Sequence, residues 1–379
     1  MKDMFQHEQE FDGPLRVFLA DIVDKRTTVE DLQDRMVELE NLVDTYGGIV
    51  ILKKYQKKDK PDYETYIGKW KFEEIMEEMK ASGSNLLIIG NVLKPSQLYK
   101  INERLRPIKA RAWDRVDLIL KIFDKHAEGM ESRLQIELAS IKHMWPRIYG
   151  MGMEMSRQWW WSKLARWLGE TNTERMKRHL QEKILKIEKK LKEYEKMRTL
   201  HRESRKKKWM PTIGIVWYTN AGKSSLLNSL TGKWVLAENK LFATLGTNVG
   251  KLYIMTDPVM WTGKEVLLND TIWFIRDLPP KLIKAFASTL EDSIESEMLL
   301  HVVDASDPFV HERIAVVENI LDKIGAHQPQ QLVFNKIDMI NADRRSFLAK
   351  EYASYNPLFV SALDGTGLEQ LKHDIVMRV

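Results

Sequence analysis

The order of the C-terminal apolar runs constrains this chain most. They are "TIGIV" (212–216), "EVLLND" (265–270), "MLLHVVDA" (298–305), "QQLVFNK" (330–336) and "PLFVSA" (357–362). Each is short, rich in Val, Ile and Leu, and followed by a polar loop and a helical stretch. Strands of this kind are buried on both faces, which a parallel sheet achieves by laying crossover helices on both sides. The series predicts a doubly wound α/β domain with ligand loops at the carboxyl ends of its strands.

Upstream the same alternation recurs. "LRVFLADI", "GGIVILKK" and "NLLIIG" read as strands. "TVEDLQDRMVELENLVDTYG" and "KWKFEEIMEEMKASG" read as helices that glycine ends. From about residue 114 the pattern turns purely helical. Met130, Leu134, Leu138, Ile141 and Trp145 recur at spacings of three and four, as do Leu180, Ile184, Ile187, Leu191 and Tyr194. Two long helices in an antiparallel hairpin are expected. The fold class is therefore α/β, in three parts: an N-terminal parallel α/β domain over 1–113, a helical hairpin over 114–209, and a Ras-like doubly wound domain over 210–379.

With 379 residues, 44% hydrophobic and 30% charged, the chain has the composition of a soluble globular protein. It has no cysteine, which excludes disulfides, thiolate metal sites and cysteine nucleophiles. The start, "MKDMFQHEQEFDGPL", carries no apolar signal core, and no run of about 18 apolar residues occurs. A soluble cytoplasmic protein is expected. The net charge of +5 is mild, but "RKKK" (205–208) concentrates it. That run reads either as a solvated face or as a nucleic-acid contact.

After strand "TIGIV" comes "WYTNAGKSSLLNSL", a loop entering a helix. Helix N-termini present free N–H groups and the positive end of the dipole, which suits phosphate. Gly222, Lys223 and Ser224 complete the second half of G-x-x-x-x-G-K-[ST], whose lysine reaches the β and γ phosphates and whose hydroxyl holds Mg²⁺. Asp270 ends "EVLLND", where a carboxylate can hold the metal through water. In "NKID" (335–338), the Asp338 carboxylate can accept two hydrogen bonds from the N1 and N2 edge of guanine, a pattern adenine lacks. "SAL" (361–363) follows strand "LFV" as a fourth piece. Singly, each piece reads as a loop with polar caps; four in order, each after a strand, point to GTP.

The series "YTNAGKSSLLNSLTG", "KLFATL", "LLNDTIWFIRDLPPKLIKAFASTLED", "LLHVVDASDP", "NKID" and "VSAL" resembles the GTPase domain of the HflX family. "YIGKWKFEEI", "DRVDLILKIFDKHAEGMESRLQIELASIKHMWPRI" and "GETNTERMKRHLQEKI" resemble that family's N-terminal domain and hairpin, so the likeness spans nearly the whole chain.

The resemblance implies where GTP or GDP lies. The first loop offers Trp217, Tyr218, Thr219, Asn220, Ala221, Gly222, Lys223, Ser224 and Ser225; the second offers Phe242, Ala243, Thr244, Leu245 and Gly246. Asp270, Thr271, Ile272 and Trp273 form the second switch. Asn335, Lys336, Ile337 and Asp338 read the base, backed by Ser361, Ala362 and Leu363. Catalysis would fall to Lys223 and Thr244, with Ser224 and Thr244 on Mg²⁺. Asn220 matches an asparagine that in some relatives coordinates K⁺; its bland reading is a loop hydrogen bond. Where many GTPases carry a water-orienting glutamine, this chain has Phe274, which implies that intrinsic hydrolysis is slow or needs help from a partner. The resemblance further implies a monomer that binds the large ribosomal subunit and its RNA and promotes ribosome dissociation; the family's N-terminal domain has been linked to ATP binding, but that part of this chain carries no phosphate loop.

The chain departs from the family pattern at its glycines. Trp217 replaces the first glycine of the phosphate loop, Trp273 that of "DTxG", and Trp70 one in "IGKWK"; "SRQWWWSKLARWLGET" stands where the family is glycine-rich. An indole where backbone must approach a ligand or take positive φ is expected to strain the loop, by about 1–3 kcal/mol, or to block it. A second function follows, a ribosome- or RNA-binding protein whose nucleotide site no longer hydrolyses. The tryptophan run reads as an apolar turn of the hairpin. Alternatively, with Trp160, Leu164, Trp167 and Leu168 on one helical face, it is an interfacial segment that adds a peripheral membrane fraction without stable membrane association.

Overall fold

The computed structural model describes residues 14–127, 129–143, 172–207, 211–218, 221–231, 249–257, 262–270, 275–276, 282 and 296–378. The chain divides into two compact units, residues 1–125 with 137–186, and residues 126–136 with 187–379.

In the first unit β1 (Arg16–Val23), β2 (Ile49–Lys57), β3 (Leu86–Ile89) and β4 (Arg111–Asp114) form a parallel sheet in the order β2-β1-β3-β4. The crossovers are α1 (Val29–Tyr46), α2 (Lys69–Ser82) and α3 (Pro95–Leu105). Local chemistry sets the ends of α1. The Thr28 hydroxyl accepts from the Asp31 N–H at 3.0 Å, and Gly47 closes the helix at φ 96°, a conformation only glycine takes without cost. β3 is buried along its length, as its continuous apolar run requires, and Phe18, Phe72, Ile75 and Ile101 pack against it in one core. α3 and β4 are absent from the sequence-based expectation. "PSQLYKINERL" carries little apolar character outside its buried stripe, and "RAWD" is too short to show a period.

The hairpin is formed by α5, a helix over 130–143, and α6 (Asn172–Lys207), following α4 (Arg115–His126). Leu134, Leu138 and Ile141 are buried, as are Leu180 and Ile187, so the expected stripes face inward. Met130 does not join them; it is 59% exposed. Lys183 pairs with Glu137 at 2.5 Å and Arg198 pairs with Glu131, and this reversed order makes the helices antiparallel. Trp145 and the run 159–168 lie outside the described residues.

Within the first unit one ionic cluster ties the end of α5 to the start of α4. Asp114 and Asp117 cap α4 reciprocally, the Asp117 N–H donating to Asp114 Oδ1 at 2.8 Å and the Asp114 N–H to Asp117 Oδ2 at 3.3 Å. His143 Nε2 reaches Asp114 Oδ1 at 3.5 Å and Asp117 Oδ1 at 3.4 Å. Burial lowers the His143 pKa, but the hydrogen bonds and charges of the two carboxylates outweigh it and raise the value to about 9. The donor atoms lie within 4.8 Å of one another, a spacing that would also admit a cation; the imidazolium offsets one of the two carboxylate charges.

The second unit carries a six-stranded sheet in the order β10-β9-β8-β5-β7-β6. Its strands are β5 (Thr212–Trp217), β6 (Val249–Asp257), β7 (Thr262–Asp270), β8 (Met298–Asp304), β9 (Gln330–Asn335) and β10 (Leu358–Phe359). All pairs are parallel except β6–β7. The described helices are α7 (Lys223–Thr231), α8 (Val310–Ile324), α9 (Ala342–Glu351) and α10 (Leu368–Arg378). The expected doubly wound sheet is present, with β6 added as an antiparallel edge. "VGKLYIMTD" alternates an exposed Tyr253 with buried Leu252 and Ile254, the pattern of a half-exposed strand rather than a buried run.

A histidine whose folded pKa is raised stabilises fully below its unfolded value near 6.5 and loses that contribution as pH rises through about 9. His143→Gln should therefore cost on the order of 2 kcal/mol at pH 6 and almost nothing at pH 10, as read by urea unfolding of both proteins.

Candidate nucleotide-binding site

The second unit brings its loops together at the carboxyl ends of β5, β8 and β9. β5 runs through Trp217, which pairs in register with Val302 and is 4% exposed. The backbone strain expected at this residue is not there: Trp217 is extended and does not belong to the positive-φ residues. Glycine's conformational freedom is unused at this position, so the indole costs contact rather than backbone. It packs on the loop's own cation, with Lys223 Nζ 4.4 Å from the ring centroid. A desolvated contact of that kind is worth about 0.5–2 kcal/mol.

Gly222 is where glycine is required. Its φ is 81°, and a Cβ would stand 2.6 Å from Asn335 Nδ2. The turn then opens α7: Lys223 is its first residue and buried, Ser224 is half-buried and Ser225 exposed, with the Leu226 N–H donating to Gly222 O at 2.9 Å. Amides of this first turn have no helical acceptor, and the dipole adds positive potential, so the loop is chemically fitted to phosphate.

Asn335 ends β9, is 1% exposed and bonds two other loops. Its Nδ2 donates to Ala221 O at 2.9 Å, and its Oδ1 accepts from the Ala362 N–H at 3.1 Å. Ser229 of α7 donates to Ala362 O at 2.8 Å, a second tie between the same loops. Lys336 takes φ 61°, and its ammonium lies 2.6 Å from Asp304 Oδ2 at the end of β8. A short 3₁₀ turn, Ile337–Met339, presents Asp338 at the surface, where its Oδ1 accepts from the buried Ser361 hydroxyl at 2.6 Å. One carboxylate oxygen is thus held from behind by a fixed donor, as a rigid base-reading group requires. Leu363 is 85% exposed.

Thr219, Asn220, Phe242, Ala243, Thr244, Leu245, Gly246, Thr271, Ile272, Trp273 and Phe274 lie outside the described residues. Asp270 closes β7 in register with Ile215, two residues before Trp217 on the neighbouring strand. Ser224 stands in the first turn of α7 and β7 ends at Asp270; hydroxyl and carboxylate oxygens are the donor types that suit Mg²⁺. Sequence reasoning missed Asp304, the partner of Lys336; its signal is the polar "DASD" after "HVV", where Ser306 donates N–H and hydroxyl bonds to Asp304 Oδ1. His301, on β8, is fully buried, and desolvation pushes its pKa down to about 3, so it is neutral at physiological pH.

Gly222→Ala adds a methyl to a left-handed residue and drives it into the Asn335 amide. Fluorescent-GDP titration should show affinity falling about tenfold or more, the scale that strain of this kind sets.

Comparisons with known proteins agree with this geometry. Residues 33–124 match the family described as GTP-binding GTPase N-terminal, 126–205 the GTP-binding GTPase Middle Region, and 212–336 the 50S ribosome-binding GTPase. The chain is 39% identical over 340 residues to the GTPase HflX of Caldanaerobacter subterraneus subsp. tengcongensis, covering 89% of this chain and 76% of that protein. It is 37% identical over 354 residues to the GTPase HflX of Escherichia coli (strain K12), covering 93% and 79%. A crystal structure of SsGBP in complex with GDP is similar at a TM-score of 0.54 and 26% identity, covering 96% of this chain and 98% of that one. A phosphate loop opening α7, a guanine-type motif bonded to it through Asn335, and relatives of this identity over most of their length make the chain a member of the HflX GTPase family.

Proposed function

We propose that this chain binds GTP through the loops joined by Asn335, hydrolyses it slowly, and couples its nucleotide state to the large ribosomal subunit, promoting ribosome dissociation. The observation that carries the nucleotide part is Asp338, exposed and backed by Ser361 at 2.6 Å, on a motif whose asparagine is bonded to the phosphate loop. In this reading Lys223 neutralises charge on the β and γ phosphates. Ser224 and Thr244 would hold Mg²⁺, with Asp270 reaching it through water, and the ion would supply charge neutralisation at the γ-phosphate. No protein group is assigned as base, and Phe274 offers no hydrogen bond to the attacking water. The ribosomal part is supported by the family description matched over 212–336 and by the basic run at the end of α6. No helix among the described residues is long and apolar enough to cross a membrane, and a cytoplasmic monomer fits this reading.

One observation favours a second reading, a nucleotide site that binds weakly and does not turn over. Lys223 rests on the Trp217 ring, so phosphate must draw the ammonium off an aromatic face before it is neutralised. Trp217→Gly should then raise GDP and GTP affinity about three- to thirtyfold, the range of a lost cation–π contact. Equal affinity and equal hydrolysis in the parent, in Trp217→Gly and in the double change with Trp273→Gly would exclude the damaged-site reading.

Base recognition has its own test. Asp338→Asn replaces one acceptor oxygen by a donor, which meets guanine's N1–H and N2 amino group with like polarity. Competition titrations should show guanine nucleotides losing about a hundredfold or more in affinity and xanthine nucleotides gaining. Retained guanine preference would remove Asp338 from this role. Equal hydrolysis rates in Na⁺ and K⁺ would remove the cation role of Asn220.

A further inference from the structure

Asp338 can read a base edge only where its carboxylate stands square to it, because hydrogen bonds weaken steeply once distance or angle slips. Its place is set by the 3₁₀ turn Ile337–Met339, and that turn starts from Lys336 at φ 61°. Left-handed backbone is disfavoured for a residue with a Cβ and persists where its surroundings hold it. Positive φ recurs among the described non-glycine residues at Tyr66, Lys109 and Asn356, but Lys336 is the one that opens a nucleotide loop.

The Lys336 side chain runs from the end of β9 to the end of β8. Its ammonium meets Asp304 Oδ2 at 2.6 Å, and its Cε lies 3.5 Å from the position that a Cβ on Gly222 would take. Asp304 is itself firmly seated. Its backbone pairs in register with Asn335, and its Oδ1 accepts from the Ser306 N–H at 2.9 Å and from the Ser306 hydroxyl at 2.6 Å. Two helices brace the loop it opens: Arg313 of α8 donates to Asp307 Oδ2 at 3.0 Å, and Arg344 of α9 donates to Asp307 O at 3.0 Å. A fixed carboxylate on β8 therefore grips the residue whose disfavoured backbone starts the turn carrying Asp338. The geometry points to Asp304 as a positioning residue for guanine recognition: by binding the Lys336 ammonium it holds the left-handed turn that sets the Asp338 carboxylate. This role rests on the reading of Asp338 as the guanine-selective residue. Asp304 touches no ligand atom in this scheme.

Asp304→Asn keeps the acceptor that Ser306 uses and puts an amide NH2 group, a donor, where the oxygen faced Lys336. Hydrogen exchange of the full chain without nucleotide, read by mass spectrometry, should then quicken about threefold or more over 337–340. There the Ile337, Met339 and Ile340 N–H groups donate to Val360 O, Lys336 O and Ile337 O. Exchange in β9 and the thermal midpoint should stay near the parent's. In competition titrations GDP affinity should fall about tenfold, the scale of one hydrogen bond to a charged group. IDP affinity should fall about twofold or less, because hypoxanthine lacks the N2 amino group and makes one bond fewer to the carboxylate. Unchanged exchange over 337–340 overturns the assignment. Faster exchange with an unchanged GDP-to-IDP ratio also overturns it, since the turn then loosens without affecting base recognition. A parent that binds GDP no better than IDP removes the guanine-reading role of Asp338, and the role of Asp304 falls with it. A parent that prefers GDP beside a variant with the same preference removes Asp304 alone. Should Asp304→Asn not fold, Lys336→Gln cuts the same pair from the other side. Faster exchange with a lower ratio in that variant supports the tether, and parent-like exchange overturns it.

Discussion

A single buried carboxamide organises the nucleotide end of this protein. Asn335 leaves β9 with both of its polar atoms committed, one to Ala221 of the phosphate loop and one to Ala362 of the loop after β10. A buried amide deprived of either partner would carry a desolvation cost of about 1–3 kcal/mol, so the three loops stand or fall together. The same amide explains the one glycine this site cannot exchange. Gly222 lies so close to Asn335 that no side chain fits between them, and its left-handed backbone turns the chain into α7. Phosphate binding and base reading are usually treated as separate motifs, but here one hydrogen bond from a β9 side chain makes them one structure.

Around that point the charges are arranged as fixed pairs rather than free groups. Lys336 is occupied by Asp304, Asp338 by Ser361, and Arg313 by Asp307 and the ring of Tyr218. Pairing of this kind preorganises a site, because groups already oriented pay no reorganisation when ligand arrives. Lys223 follows the same rule with an unusual partner. The aromatic face of Trp217 gives its buried ammonium an electrostatic counterpart in a low-dielectric setting, and the loop closes on itself. The conflict between a GTPase loop and a tryptophan at its first glycine thereby becomes a contest between indole and phosphate for one lysine.

The first unit obeys similar physics with different parts. Its sheet is all parallel, with β1 and β3 buried and the edge strand β2 largely exposed. Asp114 and Asp117 cap α4 and together hold His143 of α5 as a cation, so the docking of a helix is written in one proton. Neighbouring ion pairs repeat the device: Asp21 with Arg35 at 2.9 Å, and Glu38 with Arg115, both on buried carboxylates.

Most of the architecture was legible in the chain itself. Continuous runs such as "LLII" and "MLLHVV", each bounded by turn signals, read as buried strands of a parallel sheet, and Thr28 and Gly47 mark the ends of α1 because capping chemistry is local. The motif order, the proposed guanine reader Asp338 and the hairpin stripes likewise follow from spacing. Short or half-exposed elements, β4, α3 and β6, escaped because their patterns are brief or alternate. Tertiary structure alone decided the rest. Whether Trp217 strains the backbone depends on its conformation, and β5 extends far enough to give it an extended one. Asp304 and Arg313 become partners of the nucleotide loops only through contacts between residues far apart in sequence. The residue types that carry the chemistry are local facts of the chain, whereas the partner that each polar atom finds is set by which strands the sheet makes neighbours.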